Sequence, residues 1–258
     1  MSNRRSGQIL TPVNSTSSIP KDLAGHYAFR GYNCGCCGRL VGNLAVVSIF
    51  VSDTVSLWNS YDRANYKYEV NEACDFLLIN GGREAGLRFK EQIYFDTTLP
   101  YLEKRDNYKQ NIKDILNQMG FESFMSFRAS IIQTHSNIDT VAVFFVFNKD
   151  NRSFALSVKG HKTMRSTRRS DFSVEEYSVL YAKSHGKTAF TISHELLHLY
   201  GAIDYYYPDT TSQSAIIYAP HSIMLCSNEH PVIDGLTRYL VGWNCNLTNP
   251  SQTFLERI

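Results

Sequence analysis

Apolar residues along this chain gather into blocks of two kinds, and the blocks alternate. Leu44 to Val51 and Thr140 to Phe147 hold nearly unbroken apolar runs, the pattern of strands buried on both faces. Between them, Val55, Leu57, Trp58, Tyr61, Val70, Ala73, Phe76 and Leu77 space out a predicted helix over Thr54 to Leu78, which Gly81-Gly82 and Gly86 break. A strand at Leu87 to Phe95 follows, then a helix over about Leu102 to Met119 with Ile112, Ile115, Leu116 and Met119 on one face. Ser153 to Val158 is expected as an edge or hairpin strand, Tyr177 to Ala182 as another strand, and Thr188 to Tyr200 as a helix. Tyr205-Tyr206-Tyr207-Pro208 and a serine-rich stretch read as loop, the tyrosines as packing residues. Pro231 to Val241 reads as a C-terminal helix, with Pro231 near its start and Gly242 at its end. This order predicts an α/β (α+β) fold in which a twisted mixed sheet rests on helices, the Thr188–Tyr200 helix beneath it.

Composition narrows the class without naming a function. The 258 residues are 43% hydrophobic and 19% charged, ordinary for a globular chain that buries a substantial core. Twenty-six basic against 24 acidic side chains leave a net charge of +2, which gives no electrostatic reason to expect nucleic acid or an acidic membrane as a partner. The basic run from Lys159 to Arg169 reads as a solvated loop. No apolar run approaches the ~18 residues that a spanning helix needs. Met1 to Lys21 is a polar leader without the apolar centre of a secretory signal, so a cytoplasmic location is expected. In that setting the six cysteines are expected to be reduced, and the cluster Cys34, Cys36 and Cys37 does not match a four-ligand zinc site.

The chemistry is concentrated in His194-Glu195-Leu196-Leu197-His198-Leu199-Tyr200-Gly201-Ala202-Ile203-Asp204, which reads H-E-x-x-H-x-x-G-x-x-D. Histidines four apart on a helix share a face, so both imidazoles can reach one metal ion. Catalytic zinc takes three protein ligands and keeps a position for water, and Asp204 is the expected third ligand. A straight helix would carry Asp204 away from the ion. Gly201 allows a left-handed turn that returns it. Glu195, next to the first ligand, is the candidate general base for a metal-activated water. Glu229, His221 and His230 remain alternative third ligands, while His135, His161 and His185 have no motif around them.

At these residues the chain resembles the metzincin metalloproteases, whose helix and turn are followed by a methionine turn; the aspartate is similar to the snapalysin-type variant. Ser222-Ile223-Met224 resembles the methionine turn, with Met224 packing beneath the ligands. Leu225 and Cys226 stand where some members carry a tyrosine, so no tyrosine ligand is assigned. The resemblance implies one zinc-metallopeptidase domain over residues 22–258. Its upper part would run to about residue 201 and its lower part over about 202–258. The implied cofactor is one catalytic Zn²⁺ and the implied partner a polypeptide that lies along the edge strand. A zinc amidase acting on a small or capped peptide, and a latent zinc-containing binding module, are the alternatives. The intact Glu195 argues against the latter.

Overall fold

The computed structural model describes residues 39–99, 108–156, 176–183, 188–206, 209–225, 230–244, 247 and 249–257. The polar leader, the Cys34/Cys36/Cys37 cluster, the basic run, His161, His185 and Glu229 lie outside them. Among the described residues five strands, β1 (Gly42–Ser52), β2 (Leu87–Thr98), β3 (Thr140–Phe147), β4 (Phe154–Leu156) and β5 (Tyr177–Tyr181), form one sheet in the order β2-β1-β3-β5-β4. All pairings are parallel except β4 with β5, so the sheet is mixed and β4 is its antiparallel edge. Among the described residues seven α-helices accompany it. They are α1 (Ser60–Leu77), α2 (Tyr108–Gln118), α3 (Phe124–Thr134), α4 (Thr188–Leu199), α5 (Asp209–Tyr218), α6 (Gly235–Leu240) and α7 (Asn249–Arg257).

The chain reverses direction across the sheet, and this decides where the helices go. β1 to β2 steps one way through α1, whereas β2 to β3 steps back past β1 through α2 and α3. Right-handed crossovers taken in opposite directions put their helices on opposite faces. Side-chain alternation agrees. Leu44, Val46 and Phe50 of β1 and Ala142, Phe144 and Val146 of β3 share a core with α1 and α4. Ala45, Val47, Ile49 and Val51, with Val141, Val143, Phe145 and Phe147, share another with Ile112 and Ile115 of α2 and Phe124, Phe127 and Ile131 of α3. The expected picture of a sheet resting on helices is therefore half of the arrangement: helices cover both faces, and the central strands are apolar at nearly every position for that reason.

Several boundaries move. The helix expected from Thr54 starts at Ser60, because Asp53 and Ser56 close a turn on each other and the Asn59 side chain accepts from the Asp62 N–H as an N-cap. It ends as expected around Gly81 (φ 122°) and Gly86 (φ 83°). The C-terminal helix begins at Gly235, not Pro231, since Asp234 caps it. Gly242 (φ 82°) follows its end, and α7 succeeds it as the last helix. Among the described residues no helix is long and apolar enough to cross a membrane.

Candidate metal centre

Helix α4 carries the motif, and three other elements hold it. At its first turn the Ala189 N–H donates to Glu69 Oε2 of α1 at 2.8 Å. In the middle, Ser178 of β5 donates its hydroxyl to the Glu195 carbonyl at 3.2 Å. At the end, the Tyr200 and Thr140 hydroxyls pair at 3.1 Å, tying the last turn to β3. Ile192, Leu196, Leu197 and Leu199 fill the core beneath, so the histidine face has one orientation.

The helix stops in a Schellman turn. Gly201, at φ 102°, donates to the His198 carbonyl, and Ala202 donates back to the Leu197 carbonyl, both at 3.1 Å. That reversal places the Ala202 carbonyl 2.8 Å from His198 Nδ1, and Asp204 two residues further on swings in beside both histidines. The first histidine has an equivalent prop, because His194 Nδ1 lies 3.0 Å from the Ile223 carbonyl in the short 3₁₀ turn Ile223–Leu225.

A carbonyl only accepts, so both Nδ1 atoms carry protons, and each neutral ring turns the lone pair of Nε2 inward. The two Nε2 atoms are 3.0 Å apart, and each is 3.1 Å from Asp204 Oδ1. Two lone pairs and a carboxylate oxygen at this range repel one another unless positive charge sits among them. Ligand atoms held about 2.0–2.1 Å from a tetrahedral ion stand about 3.3 Å apart, close to the triangle seen here. His194, His198 and Asp204 can thus hold a metal ion, and two imidazoles with one carboxylate make a donor set suited to zinc. Burial opposes the charge on Asp204, but when the rings of His194 and His198 carry a proton on Nε2 their hydrogen bonds and positive charge outweigh it and hold its carboxyl well below the usual carboxylate range.

Glu195 is buried beside this triangle. Burial, above all, pushes its carboxyl up to about 7; His194 and Arg152 pull it back and Asp204 pushes it further. Its Oε2 has no hydrogen-bond partner among the described residues. An orphaned, fully buried carboxylate oxygen is costly, and such atoms gather where chemistry requires them.

Of the alternative ligands, His221 and His230 are exposed and do not join the cluster, and His135 pairs with Glu91 of β2 from the end of α3. Met224 is fully buried in the core shared with α4, and its carbonyl accepts from the Tyr205 N–H at 2.9 Å. Tyr205 is a packing residue as expected, edge-on to Phe254 with its hydroxyl 2.8 Å from Thr237 Oγ1. Tyr206 differs: its ring lies nearly parallel to His194, 6.4 Å between centroids, with the Arg152 guanidinium 5.1 Å over it. Sequence reasoning passed over Arg152 altogether, because it enters the site from the loop before β4 and no spacing links it to the motif. Neither any protein-family model nor any curated protein matches this chain.

Proposed function

We propose that the chain is a zinc-dependent endopeptidase of the metzincin kind, with His194, His198 and Asp204 as metal ligands and Glu195 as general base. The observation that carries this reading is the convergence of two Nδ1-anchored imidazoles and a carboxylate beside a buried carboxylate with a free oxygen. When bound, the ion supplies Lewis acidity, acidifying a water and polarising the carbonyl to be attacked. The chain's own residues do the rest. Glu195 takes a proton from the attacking water and returns it to the leaving amine, a task suited to a carboxyl held near neutrality. Gly201 sets the turn that aims Asp204, and Met224, in the turn whose Ile223 carbonyl props His194, anchors that turn in the core.

Among the described residues β4 is the antiparallel edge strand and packs against α4, so an extended substrate adding to the sheet there would run beside the helix that carries the triangle. That edge favours a polypeptide over a small capped amide.

The test is zinc content and cleavage of a peptide library by wild type and E195Q side by side. One zinc per chain in both, with cleavage by wild type alone, is the expected result. Cleavage confined to short capped peptides would favour the amidase, and zinc without any cleavage would favour a latent binding module. An E195Q protein that still cleaves removes Glu195 from the mechanism.

A further inference from the structure

His194 is oriented by a longer chain of donors than its ring contact alone. Its Nδ1–H points at the Ile223 carbonyl, and the other end of that same peptide unit, the Met224 N–H, donates to Ser222 Oγ at 3.1 Å. Because a peptide is planar, fixing its N–H aims its C=O the opposite way, towards His194. The Ser222 hydroxyl then donates to Asp234 Oδ2 at 2.6 Å. Every link runs in one sense, from imidazole to peptide to hydroxyl to carboxylate. Chains of hydrogen bonds aligned in this way polarise one another, and in a buried setting they do so more strongly. Ser222 and Ile223 are buried, Ile223 N–H is pinned to the Val232 carbonyl at 2.9 Å, and nothing in the relay is left to rotate freely.

We propose that Asp234 is a positioning residue for the metal centre: through Ser222 and the Ile223–Met224 peptide it holds the His194 ring in its Nδ1–H form and strengthens Nε2 as a ligand. This rests on the metal reading above. A carboxylate behind a metal-ligating histidine is a common way to fix tautomer and basicity; here the carboxylate acts at a distance of two further links. Asp234 also has a plain structural task. Its Oδ1 accepts from the Leu236 and Thr237 N–H groups at 2.9 and 3.1 Å, capping α6, and its Oδ2 accepts from Thr237 Oγ1 at 2.6 Å. The N–H cap and the relay can be separated, and S222A also leaves in place the Thr237 Oγ1 contact that an amide at Oδ2 would break. Asparagine caps a helix about as well as aspartate, but its amide NH₂ in place of Oδ2 meets the Ser222 hydroxyl with a donor and breaks the direction of the relay.

The experiment uses the full chain, with zinc affinity measured by competition against a chromophoric chelator for wild type, D234N, S222A and the double variant. Each single variant is expected to bind zinc about ten- to a hundredfold more weakly. The double variant is expected to lose no more than about twofold beyond the weaker single, because both cut one relay. In the zinc-loaded proteins, the His194 Nδ1–H proton, which faces the Ile223 carbonyl, should resonate far downfield in wild type and move upfield in S222A as that hydrogen bond weakens. Folded D234N and S222A proteins that bind zinc as wild type does would overturn the relay. If D234N does not fold, S222A keeps the Asp234 cap and decides the matter alone. Wild-type protein that takes up no zinc would instead overturn the metal centre, and this proposal with it.

Discussion

His198 and Ala202 hold each other in place: the ring donates from Nδ1 to the Ala202 carbonyl at 2.8 Å, and that carbonyl is within reach only because Gly201 between them turns left-handed. The same turn delivers Asp204, so one glycine positions two of the three residues that could hold a metal ion. Gly201→Ala should cost roughly 1–3 kcal/mol through backbone strain at φ 102°. It should also weaken zinc binding by more than the loss of stability explains. Thermal unfolding with and without zinc reads both effects, and an alanine variant with an undiminished zinc-dependent shift would show that the turn does not govern the ligands.

Zinc should stabilise the folded chain by mass action, since the triangle exists only in the folded state. At free zinc a hundredfold above Kd the gain is about 2.7 kcal/mol, or about 5–10 °C in Tm for a domain of this size. Chelation should reverse it. D204A and H198A should show little or none of the shift, whereas E195Q should keep it, because Glu195 is not among the ligands. Equal shifts in D204A and wild type would remove Asp204 from the centre.

The motif was legible in sequence because its spacing is local: one helix and one turn bring four of the relevant residues together whatever the rest of the chain does. β1 and β3 were legible for another reason, as burial on both faces leaves an apolar run with no period to misread. The helices that escaped notice each lack one of these signals. Helix α3 starts from a capping box in which Ser126 takes the place usually held by Glu or Gln, outside the usual template. In α5 the adjacent Ile216 and Ile217 are both exposed, so its apolar residues do not mark its buried side. Asp234 and Arg152 reach the site through tertiary paths that no sequence interval encodes, whereas Tyr206, two residues after Asp204, is local but reads from sequence as one more packing tyrosine. Asp234 did carry a local cue, standing just ahead of a helical segment as an N-cap residue.

Cys74 is the described cysteine that solution chemistry can test directly. It is buried on α1 against the sheet, and burial, with Asp75 adding to it, pushes its thiol up to about 12. Only the thiolate is nucleophilic, so at pH 8 the native protein should alkylate at Cys74 about a thousandfold more slowly than an ordinary thiol. Raising the pH should speed the reaction continuously up to about 12, with no plateau near 9. Iodoacetamide labelling followed by peptide mapping, native and in denaturant, measures this. Fast native labelling would show that α1 opens far more readily than its packing implies.

Glu69 tests whether α4 depends on its neighbour for its start. Its carboxylate reaches from α1 to the Ala189 N–H, placing negative charge at the positive end of the helix that carries the ligands. A cap of this kind contributes about 0.5–2 kcal/mol, and here it also couples two helices whose packing positions the histidines. Glu69→Ala should therefore lower the denaturant midpoint without changing the slope, and Glu69→Gln, which keeps an acceptor oxygen but loses the charge, should restore part of the loss. Because Glu69 touches none of His194, Glu195, His198 and Asp204, zinc affinity in either variant should fall by less than in D204A or H198A. A Glu69→Ala protein as stable as wild type would mean that burial of Ile192, Leu196 and Leu197 alone fixes the register of the helix.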